Sequence, residues 1–213
     1  MEDDMLKMKQ MSLGPLGTNC YIVYDEGQAL VVDPGGEANQ VIAFLQQEQL
    51  SAQAILLTHA HFDHIGGVQA LRTDLGLDVY LHQNEQDWLG NPDLNRSGSF
   101  GSEVVTDPAE HMLKPGELKI GPFQFEIIHT PGHSPGSVSF VFAEEGFVIS
   151  GDVLFQQGIG RTDLPGGDID QLETSIRNQL YALNDSLTVY PGHGPETTIK
   201  AEKRNNPFFP DRS

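Results

Sequence analysis

The sequence contains one cysteine, Cys20, in 213 residues. No disulfide can form within the chain, which excludes a disulfide-stapled scaffold. Basic residues are scarce as well: 12 Lys and Arg against 30 Asp and Glu give a formal charge of -18. That balance disfavours a nucleic-acid partner, because such footprints are basic. Long hydrophobic runs are missing too. Apolar stretches such as Ala54 to Leu57 fall far short of the roughly 20 residues a membrane span needs. The opening Met1-Glu2-Asp3-Asp4 lacks the positive and apolar regions of a secretory signal. The expectation is a cytoplasmic protein with no membrane and no nucleic-acid partner; nothing in the composition points to an oligomeric state.

Turn residues, by contrast, are abundant. The 23 Gly and 13 Pro exceed the average combined usage of about 12% and predict many tight turns between short elements. The length suffices for one sizeable core, so residues 1–213 are expected to form a single domain. Short strands are predicted at Leu6 to Met11, Asn19 to Tyr24 and Gln28 to Val32, the last two joined by Asp25-Glu26-Gly27. A helix follows over Ala38 to Leu50, where Val41, Ile42 and Leu45 recur at helical spacing. Ala54 to Leu57 reads as a buried strand, Gly66-Gly67 opens a second helix through Leu71, and Asp78 to His82 is another strand. Gly90 to Gly116 shows no sustained period and is expected to be a long loop. Strands resume at Glu117 to Ile120, Phe123 to Ile128, Ser137 to Phe142 and Phe147 to Ser150. A helix over Ile169 to Leu183, a strand at Leu187 to Tyr190 and a helix over Thr197 to Arg204 complete the pattern. Two sheets covered by helices are a reasonable α/β architecture.

Chemistry concentrates where apolar strands run into turns. The first such place is His59-Ala60-His61-Phe62-Asp63-His64. Residues two apart in an extended segment point the same way, so His59 and His61 offer two imidazoles to one ion. Asp63 and His64 would face a second. His133 in Pro131-Gly132-His133-Ser134-Pro135 and His193 in Pro191-Gly192-His193-Gly194-Pro195 are flanked by residues that permit sharp bends. Asp152, after Gly151, could bridge two ions through its two oxygens. A lone histidine in a turn is more often solvated or simply hydrogen-bonded. Seven His and Asp residues, each in a turn after an apolar strand, argue for metal. His82, His111 and His129 lack such a partner set and are assigned to surface or supporting roles, His129 being the strongest exception. Cys20 reads as a buried small hydrophobe, and Trp88 and Phe100 as packing residues.

These residues resemble the metallo-β-lactamase superfamily, whose motif His-x-His-x-Asp-His is followed by a later His, a bridging Asp and a last His; all seven positions match. The likeness runs from Gly17-Thr18-Asn19-Cys20-Tyr21 and Asp33-Pro34-Gly35 to Pro191-Gly192-His193. It implies the four-layer αββα sandwich of that family and two divalent metal ions, zinc first, with iron or manganese as alternatives. The metal ligands would be His59, His61, Asp63, His64, His133, Asp152 and His193. Antibiotic hydrolysis is not favoured. Gly158-Ile159-Gly160-Arg161-Thr162-Asp163 and the tail Glu196-Thr197-Thr198 to Asn205-Asn206-Pro207-Phe208 look like the short bacterial glyoxalase II-like hydrolases.

The activity so implied is hydrolysis of a small-molecule thioester, S-lactoylglutathione or another acyl thiol, by a hydroxide held between the ions. A zinc-bound water has a pKa near 7, and a thiol with a pKa near 8.5 leaves without a strong acid. Asp63 would orient the hydroxide as the catalytic residue. The chain is too short for the helical C-terminal extension by which classical glyoxalase II enzymes grip glutathione. Arg161 has two readings: a fork for a substrate carboxylate, or an ion pair with Asp163. The persulfide dioxygenases of the same superfamily also carry Gly-Arg-Thr-Asp and use one iron, which makes them the alternative. Other ester, lactone or phosphodiester hydrolases of the fold, and a non-catalytic binding module, stand behind it.

Overall fold

The computed structural model describes residues 6–211. Its chain divides into two units, Met1–Leu113 with Lys119–Phe123, and Lys114–Leu118 with Gln124–Ser213.

In the first unit, β1 (Lys7–Leu13), β2 (Thr18–Asp25), β3 (Gln28–Val32), β4 (Ser51–Leu56), β5 (Val79–His82) and β6 (His111–Leu113) lie side by side in that order. The first three form an antiparallel meander, and β3 to β6 run parallel. Parallel neighbours need crossovers. These are supplied by α1 (Ala38–Gln47) between β3 and β4, and by α2 (Phe62–Ile65) and α3 (Val68–Leu75) between β4 and β5; α4 (Gln86–Leu89) follows β5. Period-2 geometry sorts the apolar strands into two faces. Cys20, Ile22, Ala29, Val31, Ile55 and Leu57 pack with Val41 and Leu45 of α1 and Val68 and Leu71 of α3. The alternate residues Tyr21, Val23, Leu30, Val32 and Leu56 are equally buried. Burial on both faces is why β4 reads as an unbroken apolar run.

The second unit holds most of β7 (Gly116–Ile120) and of β8 (Phe123–His129), with β9 (Val138–Phe142) and β10 (Phe147–Gly151). It also holds a small hairpin of β11 (Leu154–Phe155) and β12 (Gly158–Ile159), then β13 (Thr188–Pro191) and β14 (Thr197–Thr198). The sheet order is β14-β13-β10-β9-β8-β7. Val141, Val148 and Val189 face Leu172 of α5 (Ile169–Ser175) and Ile199 of α6 (Ile199–Asn205). The other face carries Phe125, Phe142 and Phe147, with ring centroids 4.9 Å and 4.7 Å apart in sequence. Asp168 caps α5 by accepting the Asp170 and Gln171 amides at 2.9 and 3.0 Å. Glu202 of α6 is buried and accepts hydrogen bonds from Thr197 Oγ1 (2.6 Å), the Gln157 amide (2.9 Å) and Asn206 Nδ2 (2.9 Å). The last helix is thereby tied to the β11–β12 turn.

Several predicted bounds shift. The first helix stops at Gln47, because Gln49 takes φ 56° and the Leu50 amide turns back to the Leu45 carbonyl at 2.8 Å. The expected helix from Ile169 to Leu183 is α5 followed by a π-helical turn, Ile176–Leu180. The wider turn keeps Ile176, Leu180 and Tyr181 all in the core. The last helix begins at Ile199, because Thr197–Thr198 pairs with β13 and Thr198 Oγ1 caps the Ala201 amide at 3.1 Å. The loop expected over Gly90 to Gly116 contains β6 and the 3-10 turn Ser97–Phe100. Buried Asn95 orders it, donating from Nδ2 to the Trp88 and Val104 carbonyls at 3.0 and 2.9 Å. The β11–β12 hairpin was not predicted; two-residue strands carry no readable period.

Candidate functional site

In the first unit the ligand residues leave the C-terminal end of β4, the usual place for a site in a parallel sheet. His59, His61, Asp63 and His64 are all buried. The His59 ring lies 4.8 Å from that of His61 and 4.1 Å from that of His64. His61 is the extended residue before α2 (φ -68°, ψ 148°), and α2 then carries Asp63 and His64, with His64 Nε2 3.6 Å from Asp63 Oδ2. The structure thus gathers these four predicted ligands into one cluster.

Their orientation is set by residues from other strands. Asp33, at the end of β3 with φ 49°, is buried. It accepts the Thr58 amide on Oδ1 at 2.8 Å, and the Thr58 hydroxyl and His64 Nδ1 on Oδ2 at 2.6 and 2.9 Å. Because the Thr58 hydroxyl gives its proton to Asp33, its oxygen receives one from His59 Nδ1 at 3.1 Å. Both histidines therefore carry the proton on Nδ1 and present Nε2 as the nitrogen that could hold a metal ion. Thr18 Oγ1 donates to Asp63 Oδ2 at 2.8 Å. Glu85 Oε2 accepts the Ala60 amide at 2.6 Å. The backbone comes close here as well: a Cβ on Gly35 would lie 1.9 Å from the Asp63 carbonyl oxygen.

In the second unit, His133, Asp152 and His193 come from the turns after β8, β10 and β13. Asp152 Oδ2 stands 3.7 Å from His133 Nε2 and 3.6 Å from His193 Nε2, nearly midway between the two imidazoles. His133 Nδ1 donates to the Arg161 carbonyl at 2.8 Å, which again turns Nε2 into the nitrogen that could hold a metal ion. The Phe155 ring meets His193 edge-on at 6.4 Å. A Cβ on Gly160 would lie 1.9 Å from the Asp152 carbonyl oxygen and 3.1 Å from His133 Cβ. Each unit therefore seats its carboxylate ligand against a glycine.

This donor set suits divalent metal. It joins imidazoles, those of His59, His64 and His133 protonated on Nδ1, to ionisable carboxylates, in clusters of metal-capable side chains. Arg161 forks onto Asp163, Nε to Oδ1 at 2.7 Å and Nη2 to Oδ2 at 2.6 Å, which is the ion-pair reading of that residue. The guanidinium holds the Asp163 carboxyl down to about 2. His82 accepts the Asn84 amide at 3.3 Å, His111 stacks on Tyr80 and bonds Asp78 at 2.9 Å, and His129 donates to the Pro135 carbonyl at 3.1 Å. Cys20 is buried among apolar residues, and burial pushes its thiol up. Trp88 is buried with its ring 5.4 Å from His61, while exposed Phe100 packs on Phe62 at 4.5 Å. Among the described residues, no helix is long and apolar enough to cross a membrane.

The sequence profile of the metallo-beta-lactamase superfamily matches residues 13–193. The chain belongs to that superfamily. Among the curated members of the metallo-beta-lactamase superfamily, a probable metallo-hydrolase of Bacillus subtilis (strain 168), YqgX, is 49% identical over 96% of this chain and 98% of its own. The hydroxyacylglutathione hydrolase GloC of Haemophilus influenzae is 40% identical over 92% of this chain and 94% of its own. Among solved structures, BLEG-1, described as a B3 metallo-beta-lactamase, superposes with a TM-score of 0.93 at 50% identity, covering 95% of this chain and 99% of that one. ETHE1 from Myxococcus xanthus gives 0.79 at 28% identity, over 97% and 86%. The metallo-beta-lactamase fold, an α/β architecture with mixed sheets, is therefore the fold of this chain.

The residues that hold the ligands in place were the ones not anticipated. In the sequence Asp33, Thr18 and Thr58 stand out only as parts of motifs, and Glu85 not at all. Their partners lie 25, 31 or 45 residues away in sequence, so no local spacing announces them.

Proposed function

We propose that residues 1–213 form one catalytic domain in which His59, His61, Asp63, His64, His133, Asp152 and His193 hold two divalent metal ions, zinc first. We further propose that this protein hydrolyses a small-molecule thioester, S-lactoylglutathione or a related acyl thiol. Membership of the superfamily supports a metal-dependent hydrolase. The observation that carries the thioester reading is the likeness to the hydroxyacylglutathione hydrolase, which spans nearly the whole of both chains.

When bound, such ions lower the pKa of water toward 7 and polarise a carbonyl. The chain's own residues supply position. Asp63, held by Thr18 at 2.8 Å, would accept a proton of the attacking water and aim its lone pair at the carbonyl carbon. Asp33 and Thr58 keep His64 and His59 in the ligating tautomer, and the Arg161 carbonyl does so for His133. The water oxygen bonds to carbon, the carbon–sulfur bond breaks, and the thiolate departs unaided because its pKa is near 8.5. Arg161 is the substrate-binding residue of this reading; it would meet a substrate carboxylate by exchanging Asp163 for it.

The test is metal analysis of the purified protein together with hydrolysis of S-lactoylglutathione. Two zinc-like ions and turnover are expected. One iron with oxygen uptake on glutathione persulfide would overturn the hydrolase in favour of the dioxygenase, the second reading that the ETHE1 likeness supports. Hydrolysis of a β-lactam without thioester turnover would place the activity with that described for BLEG-1.

A further inference from the structure

Glu85 ends the 3-10 turn Gln83–Glu85 that follows β5, and it is 0% exposed. Its carboxylate reaches back 25 residues to the Ala60 amide at 2.6 Å, the residue between His59 and His61. Trp88, three residues further on, is buried with its ring 5.4 Å from the His61 ring. The segment from 83 to 89 thus buttresses the stretch that sends His59 and His61 to one side. Burying a carboxylate costs more in lost hydration than burying a neutral amide. Asp33 and Asp63, also buried, contact Thr58 and His64, which flank that stretch. Three buried carboxylates around three imidazoles make a region whose potential suits a cation.

We propose that Glu85 is a positioning residue for the His59–His61 pair. Through the Ala60 amide it fixes the extended backbone that aligns the two rings, and its charge strengthens their hold on a divalent cation. The inference rests on the metal reading above and goes beyond it by assigning a residue outside the seven ligands. It predicts effects of opposite sign in the metal-free and metal-bound protein. Removing the charge relieves the metal-free form and weakens the metal-bound one.

The experiment compares the full-length wild type with Glu85→Gln and Glu85→Ala. Each is stripped with a chelator, then titrated with Zn2+ against a chromophoric competitor, with thermal melts before and after loading. Glu85→Gln keeps an acceptor of the same length. It is expected to melt at or above the wild type when metal-free, yet to bind Zn2+ about 10-fold more weakly, the scale of outer-sphere effects on metal sites. Glu85→Ala loses both the affinity and the metal-free stability. Wild-type affinity in Glu85→Gln would overturn the proposal, as would an affinity loss matched by a metal-free melting loss as large as that of Glu85→Ala. If Glu85→Gln does not fold, Glu85→Asp, which keeps the charge, is titrated instead; affinity above that of Glu85→Ala supports the proposal, and affinity no better overturns it. A wild type that binds no divalent ion overturns the metal reading and this inference together. One that binds metal but hydrolyses no thioester overturns only the substrate.

Discussion

Adding one methyl group behind a carboxylate ligand should disable either half of the ligand set. A Cβ on Gly35 would sit 1.9 Å from the Asp63 carbonyl oxygen, and one on Gly160 the same 1.9 Å from that of Asp152. Real Cβ atoms keep at least 3.0 Å from such neighbours, so the two backbones must part by 3.0 minus 1.9, or 1.1 Å. Neither neighbour is the flexible end of a side chain, and any share of that shift taken by the Asp63 or Asp152 backbone moves the carboxylate with it. A 1 Å misplacement of a catalytic group costs about 100-fold in rate, while overpacking a core costs about 1–3 kcal/mol in stability. Gly35→Ala and Gly160→Ala are therefore expected to lose about 100-fold in kcat for the thioester and to bind less metal, with a smaller loss in melting temperature. Gly90→Ala is the control: its Cβ would meet nothing nearer than the Thr106 carbonyl at 4.0 Å. Steady-state kinetics, metal analysis and melts on the three variants decide it. Wild-type turnover and metal content in both Gly35→Ala and Gly160→Ala would refute the reasoning.

Three further outcomes follow from the site. Stripping metal should lower both activity and melting temperature, since Asp63 and Asp152 lose the cations that offset their charge; a stripped protein as active as the loaded one would contradict this. Asp63→Asn should lose far more in turnover than in melting temperature, measured side by side. The Arg161 pair keeps the Asp163 carboxyl ionised down to about 2, so protonation does not release Arg161 anywhere in the assay range, whereas Asp163→Asn does. That variant should lower KM for an anionic thioester at unchanged melting temperature, and an unchanged KM would argue that Arg161 does not meet the substrate.

The ligands were readable because of where they sit. Ala54 to Leu57 could be recognised as a buried strand, and the His59-to-His64 run follows it directly, so the sequence carries both the element and its chemistry in one stretch. The strand Gln28–Val32 matches its prediction residue for residue. What escaped depends on contacts between distant segments. Thr18 reaches Asp63 across 45 residues and Asp33 reaches His64 across 31, and neither pairing leaves a local pattern. The π-helical turn after α5 escaped for a related reason: Leu172, Ile176 and Leu180 keep the spacing of an ordinary helix, while the extra width is a response to packing.

The three hydrogen bonds that converge on Glu202 have a consequence for how the molecule breathes. Gln157 is exposed at the tip of the β11–β12 turn, yet its amide is held by a buried carboxylate from the last helix. In hydrogen exchange such an amide should be slow despite its position, opening only when α6 lifts. The same turn leads through Ile159 and Gly160 to the Arg161 carbonyl that orients His133. Fraying of α6 would thus reach His133, and a fusion or truncation there should be judged by its effect on the site rather than on the melting curve.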